Sequence, residues 1–444
     1  MKPRTLVCAA FVLLLAPLTV PPVAVAQSGG AAAISASTPF NQVSQLAQAG
    51  NAKAQFELGI RYINGTGVAQ NDKEAVSWFR KAAKQGYADA QNNLGVMYQK
   101  GLGVTQDYTQ AAEWYRKSAE QGVAVAQSAL GVLYAFGHGV PRDDKQSVAW
   151  YRKAAEQGNA VAQFNLGLAY QYGTGGMPKD YTQVLNWYRK SAAQNNAQAQ
   201  GGLGYMYAAG EGVPVDYAQA AQWFRKSAEQ GNAPAQLGLG NLYWHGLGVA
   251  QSSQQAAAWY LKSAAQGNAD AQNNLGVMYD TGDGVPQDYT QAVTWYRKAA
   301  AQGVADAQNN LGAMYAKGEG ITQDDTQAVA WYLKAVEQGS AEAQNSLALL
   351  YGKGQGVPQS YSQEAFWLRK AAAQGYPSAQ NNLAIMYEFG QGMPQDLQQA
   401  KAWFEKAAAQ TSNSEQREFA LKQLQTLKQN WQRLKQQWEQ SQGN

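Results

Sequence analysis

The chain has 444 residues, with 35 Lys and Arg against 31 Asp and Glu, and it carries one Cys, two His, 45 Gly, 25 Tyr and 13 Trp. The near balance of charge excludes nucleic-acid binding by bulk basicity, because no excess of cations is available to neutralise phosphates. One Cys excludes a disulfide framework and a Cys-based zinc site, and the wealth of aromatics argues for a folded chain.

Residues 1–26 read as a cleavable export signal. Lys2 and Arg4 make a basic start, Phe11 to Leu15 lead an apolar stretch, and Ala24-Val25-Ala26 is a small-x-small cleavage site. Pro17, Pro21 and Pro22 cut the apolar run below the roughly 20 residues of a spanning helix, so no membrane span is expected after cleavage. Cys8 precedes the apolar stretch and leaves with the signal. A mature chain beginning at Gln27 then has no Cys and 33 basic against 31 acidic residues. The expected location is periplasmic or secreted. Residues 27–40 are small and polar and read as a flexible lead-in. Residues 41–50 resemble the end of a helix and read as an N-terminal cap.

From 51 to 411 one pattern recurs ten times. Trp falls at 78, 114, 150, 187, 223, 259, 295, 331, 367 and 403, a spacing of 36 with one step of 37. Leu at 58, 94, 130, 166, 203, 239, 275, 311, 347 and 383 keeps the same period and the same single step. One inserted glycine in Gly173-Thr174-Gly175-Gly176 explains the step. Repeats of this length make a solenoid whose units cannot bury their apolar faces alone.

In the second unit, 87–122, Ala90, Leu94, Met97 and Tyr98 form one helical face, and Ala111, Trp114, Tyr115 and Ala119 a second. Gly101 and Gly103 supply the interhelix turn. Each unit is therefore two short antiparallel helices. Seven residues before each repeat Trp stands an N-cap former: Asn71, Asp107, Asp143, Asp180, Asp216, Ser252, Asp288, Asp324, Ser360 or Asp396. Glu74, and Gln in the other nine units, follows three residues later at the capping-box spacing. Gly86, Gly122, Gly158, Gly231, Gly267, Gly303, Gly339 and Gly375 suit the left-handed residue after the second helix, with Asn195 in their place once. A lysine three residues after each repeat Trp, from Lys81 to Lys406, offsets the helix dipole, which accounts for the stripe without an anion ligand. The glycine after the repeat Leu, as at Gly95, costs about 1 kcal/mol of helix propensity. Close helix packing is the expected return, and Ala348 and Ala384 replace it in the last two units. The ten Trp read as core.

On these residues the unit resembles the Sel-one-like repeat (SLR) family, a relative of tetratricopeptide repeats. The pattern is carried in the second unit by Ala88, Ala90, Gln91, Leu94, Gly95, Tyr98, Gly101, Gly103, Val104, Asp107, Ala111, Trp114, Tyr115, Lys117, Gln121 and Gly122. The resemblance implies an all-α, right-handed superhelical solenoid of helical hairpins that binds other proteins, as exported bacterial adaptor members do. Relatives linked to β-lactams carry a cysteine pair in each repeat, and the mature chain has none.

No Ser-x-x-Lys, Gly-x-Ser-x-Gly, phosphate-loop or His-Glu-x-x-His motif occurs. Asp280, Asp283 and Asp288 gather at one turn without EF-hand spacing, and His138 and His245 occupy different repeat positions. No catalytic residue, metal site or cofactor is therefore expected. Binding residues should be those that vary on a repeating frame. Two positions of the first helix, two before the repeat Leu and two after the repeat Tyr, are expected to project outward. Aromatic departures gather in the third to sixth units: Phe136, Phe164, Tyr172, Tyr205, Trp244 and His245. They are the candidate site for a protein or peptide partner on the inner surface. Local repacking around the inserted glycine explains them equally well. The alternative ligand is cell-wall glycan or exopolysaccharide, and the rival class is a hydrolase of cell-wall or β-lactam substrates.

Residues 412–444 close the chain. Ala420, Leu424, Leu427, Trp431, Leu434 and Trp438 alternate at four and three, which reads as a capping helix over the last repeat. The expected state is a monomer, with dimerisation through 415–440 as the alternative.

Overall fold

The computed structural model describes residues 38–410 and 414–442. The expected signal 1–26, its cleavage site and the lead-in up to residue 37 lie outside the described residues. Among the described residues there are 22 α-helices, one 3-10 turn and no strand. A short helix, Phe40–Gln48, precedes ten helical hairpins, and a long helix, Ser414–Gln442, follows them. The first hairpin pairs Ala52–Asn64 with Asp72–Lys84, and the last pairs Pro377–Phe389 with Leu397–Ala408. Nearly all hairpin helices have 13 residues, a length at which an isolated helix is marginal (about 12–15 residues), so packing must hold them.

Their ends are set by the expected caps. All ten N-cap side chains of the second helices accept a backbone N–H from the third helical residue, as Asp107 does from Gln110 at 3.0 Å. The second half of a capping box is made differently. The N–H of the cap residue donates to the carbonyl of the repeat Tyr, Asp107 to Tyr98 at 2.9 Å, and this bond closes the interhelix turn. Gly103, at φ +66°, lies against the backbone of Asp72 at the start of the preceding second helix, so the turn needs both its dihedral freedom and its missing side chain. Asn195 is the one non-glycine with positive φ among the described residues, at +63°. The insertion is absorbed by the 3-10 turn Thr174–Gly176: Gly175 contacts Asp144 as Gly103 contacts Asp72, and Gly176 has only the end of the Lys145 side chain near it.

Packing follows one rule. A Cβ placed on Gly95 would lie 2.8 Å from the Tyr115 ring, and the same contact joins Gly59 to Phe79, Gly167 to Tyr188, Gly204 to Phe224 and Gly276 to Tyr296. The aromatic residue after each Trp is thus the core residue, and Tyr115, Tyr188, Tyr260, Tyr296, Phe79, Phe224 and Phe404 are fully buried. In the ninth hairpin, where Ala348 replaces the glycine, the residue after the Trp is Leu368 and the ring is gone.

The Trp residues are only half-buried, a correction to their reading as core. Within a unit they sit at the edge of a neighbouring core cluster, as Trp114 does beside the cluster that holds Phe56, Phe79 and Leu94, and Trp150 beside the one that holds Tyr115 and Leu130. The outer face of each indole is covered by the lysine three residues on, from 3.7 Å at Lys81 over Trp78 to 4.9 Å at Lys370 over Trp367. Such a contact contributes about 0.5–1 kcal/mol at an exposed site. The lysines therefore have a partner beyond the helix dipole.

A ladder of glutamines links hairpin to hairpin. Gln91 Nε2 donates to the Ala83 carbonyl of the preceding hairpin at 3.1 Å, and its Oε1 accepts from Gln121 Nε2 at 2.7 Å. The same pairing recurs at Gln55 with Gln85, Gln127 with Gln157, Gln272 with Gln302 and Gln344 with Gln374.

The chain forms two compact units. One contains the described residues up to Leu242 together with Leu247–Ala250, and the other Tyr243–Gly246 together with the residues from Gln251 on. The first unit begins with Phe40–Gln48, whose Val43 and Ala47 pack on Ala54 and Leu58. Phe40, expected in the lead-in, is helical and stands edge-on to Tyr62 at 6.3 Å. The second unit ends with Ser414–Gln442, whose Ala420 and Leu427 are buried on Ala384, Phe404 and Ala407. The side chains of Trp431, Leu434 and Trp438 lie outside those described.

The ring-on-glycine contact predicts a strong coupling. Gly95→Ala should destabilise the protein by about 1–3 kcal/mol through overpacking, despite the better helix former. Combined with Tyr115→Leu, the pair seen in the ninth hairpin, the two losses should fall short of their sum by more than about 0.5 kcal/mol in a denaturant-melt mutant cycle. Simple additivity would refute the contact as the cause.

Candidate interaction surface

The first helix of a hairpin has little free surface, because its own second helix and the second helix of the hairpin before it pack on it from two sides. Positions two before the repeat Leu are consequently buried: Phe56, Asn92, Ser128, Leu237, Asn309 and Asn381 are all within the core, against the expectation that they project. Phe164 is the clearest correction. It is 6% exposed and stacks on Tyr188 with ring centroids 5.3 Å apart. It is a core residue. Positions two after the repeat Tyr do project, at the rim beside the interhelix turn: Phe136 and Tyr172 in the first unit and Phe389 in the second are exposed.

Two aromatic groups stand on this rim in the first unit. The His138 imidazole lies between Tyr108 at 4.9 Å and Phe136 at 5.7 Å, both nearly parallel to it. The other group surrounds Glu211, the middle residue of the turn after Ala197–Ala209. Tyr205 Oη donates to Glu211 Oε1 at 3.3 Å, and Gln171 Nε2 lies 3.5 Å from Oε2. Gln171 is itself held by Tyr188 Oη at 2.7 Å. Tyr181 abuts Gly212, and both Tyr172 and Tyr181 feel the Glu211 charge. Burial first, then Glu211, raises the phenols of Tyr172 and Tyr181; for Tyr188 the causes are burial, then Tyr172 and Glu211. These hydroxyls are therefore protonated donors at neutral pH.

Trp244 and His245 belong to the second unit. Trp244 is half-buried against Tyr260, with centroids at 5.7 Å, while His245 is exposed. The second unit also carries a row that the sequence reading missed. Asp270, Asp306 and Glu342 occupy the same second position of successive first helices. Burial, then Asp306, raises the carboxyls of both Asp270 and Glu342 above their ordinary values; an Asn309 hydrogen bond opposes this at Glu342. Between adjacent first helices, Asn310 Nδ2 donates to Asn273 Oδ1 at 3.2 Å and Asn382 Nδ2 to Asn345 Oδ1 at 3.1 Å. Asp280 and Asp288, weighed as metal ligands, have other work: Asp280 accepts from Tyr296 Oη at 3.2 Å and Asp288 caps a helix.

Glu211, Tyr181 and Tyr108 were missed for a common reason. Each lies in or beside the turn, where a polar or aromatic residue among glycines reads as solvated. Comparing the middle residue of all ten turns, Thr66, Leu102, His138, Thr174, Glu211, Leu247, Asp283, Glu319, Gln355 and Gln391, would have shown that the position varies widely.

The Sel1 repeat model matches ten consecutive segments: 52–87, 88–123, 124–159, 160–196, 197–232, 233–268, 269–304, 305–340, 341–376 and 377–412. A solved structure of c5321, a protective antigen of uropathogenic Escherichia coli with an SLR fold, is similar at 40% identity, covering 90% of this chain and 94% of that one, with a TM-score of 0.54. A Sel1 repeat protein from Oxalobacter formigenes is similar at 33% identity over 56% of this chain and 98% of that one, with a TM-score of 0.52. Comparison with curated proteins yields no match.

The acidic row makes a signed prediction. Because burial raises the Glu342 carboxyl, its ionisation disfavours the folded state, and stability is regained as pH falls through the folded-state value toward the usual carboxylate range. Glu342→Gln, which keeps an acceptor for Asn309, should raise the melting temperature at pH 7, and the gain should shrink as pH is lowered. A gain that is absent, or equal at every pH, would contradict this.

Proposed function

The chain belongs to the Sel1 repeat family, and we propose that it is an exported, noncatalytic scaffold that holds a protein or peptide partner on the aromatic rim of its first unit. Sel1 arrays are generally protein–protein interaction scaffolds and typically noncatalytic. One observation carries the finer reading. Where the frame repeats, Phe136, Tyr172 and Tyr181 are large aromatic side chains left 36–40% exposed on one rim of one unit. A folded protein exposes such groups at a cost unless a partner covers them, and aromatics dominate interface hot spots. Export rests on residues 1–26, and the similar E. coli protein, a protective antigen, is compatible with it.

Two results test this reading. Expressed with residues 1–26 in a bacterial host, the chain should be recovered from the periplasm or medium with Gln27 at its N-terminus; retention in the cytoplasm with Met1 intact would refute export. Mature protein immobilised against envelope extract should retain a protein that a Phe136→Ser, Tyr172→Ser, Tyr181→Ser variant with an unchanged melt does not. Equal retention by the variant would remove the rim as the site. Retention of glycan alone would replace the protein partner.

A further inference from the structure

We infer that Glu211, with the rings of Tyr172, Tyr181 and Tyr205 about it, is a receptor for the guanidinium of an arginine side chain presented by the partner polypeptide. The inference rests on the scaffold reading and names the chemistry of its site.

The carboxylate is fixed before any partner arrives. Glu211 stands between two left-handed glycines, Gly210 at φ +73° and Gly212 at φ +72°, and Gly212 is pressed against Tyr181. Its two oxygens face Tyr205 Oη and Gln171 Nε2, and Gln171 is locked by Tyr188. These donors are neutral, so they orient the charge without cancelling it. Each oxygen retains a lone pair for a second donor.

Among the described residues no cation fills that place. Glu211 belongs to no ion pair among the described residues. Glu319 holds the same position in its own turn and pairs with Lys317 at 3.4 Å. The residue corresponding to Lys317 beside Glu211 is Ala209. The lysine that neutralises one turn is therefore absent from the other, and tyrosines stand around the uncompensated charge instead.

A guanidinium suits this site better than an ammonium. Its parallel N–H pair matches two carboxylate oxygens, and its plane stacks on tyrosine faces. An ammonium offers a point charge and prefers its water.

The test uses the mature chain and the blocked peptides acetyl-Gly-Arg-Gly-amide and acetyl-Gly-Lys-Gly-amide, with binding read by saturation-transfer NMR titration. The arginine peptide should bind, and the lysine peptide should bind several-fold more weakly. Glu211→Gln keeps an acceptor for Tyr205 and should leave the melt unchanged, yet lower arginine-peptide affinity about tenfold or more. Tyr172→Leu should lower it several-fold. Binding by Glu211→Gln within twofold of wild type, no binding by wild type, or equal binding of the lysine peptide would each overturn the receptor. Failure here is separable from failure of the scaffold reading. If a protein captured from extract is lost by the rim variant but kept in full by Glu211→Gln, the scaffold stands and the arginine receptor falls.

Discussion

Most hairpins depend on an aromatic ring packed against a stretch of helix that has no side chain. Gly95 under Tyr115 is the pattern, and its distance leaves no room for a methyl group. The glycine gives up about 1 kcal/mol of helix propensity, and the buried ring returns more than that through apolar area removed from water. Once the ring points inward, the Trp just before it must lie about 100° around the helix, at the edge of the interface with the previous hairpin. The lysine three residues later then falls above the indole. Core, inter-repeat contact and outer face of the second helix thus follow from one placement.

The same geometry creates a polar problem. The last carbonyls of a helix have no intrahelical donor, and the next hairpin covers them. Ala83 already accepts from the Gly86 N–H, Gln91 adds a second donor to it from the next hairpin, and Gln121 fills the acceptor that Gln91 has left. Buried amides are costly when half-satisfied, so a hairpin displaced by one residue would strand both groups. The ladder therefore fixes the register of each hairpin on its neighbour, where apolar packing alone would allow several.

Much of this frame was legible because it repeats. Ten caps at one offset and glycines at two others mark helix starts and ends without any knowledge of tertiary structure. What escaped was anything decided between hairpins. The periodicity of a single helix cannot tell that Phe164 faces a neighbouring ring, or that of two adjacent aromatics the Trp is the outer and the Tyr the inner. The Gln ladder was invisible for the same reason, since Gln on a helix ordinarily reads as solvated. At the rim, Phe136 and Tyr172 were found as departures from a repeat, while Glu211 was not, because a carboxylate between glycines looks unremarkable until its neighbours are known.

The rim and the frame obey opposite rules, and that opposition is what makes the site. In the frame the recurring polar groups mostly meet a partner from the chain itself: Gln with Gln, Lys with Trp, Asp with a helix N-terminus. In the turns the partner is supplied locally in one repeat and withheld in another, as Lys317 is present beside Glu319 and Ala209 beside Glu211. A turn residue can change without disturbing the ring-on-glycine contact, because the turn's fit to the preceding helix rests on its glycines. Charge and aromatic surface can therefore be written onto the rim one repeat at a time. An array with almost no net charge can in this way present a locally unbalanced carboxylate.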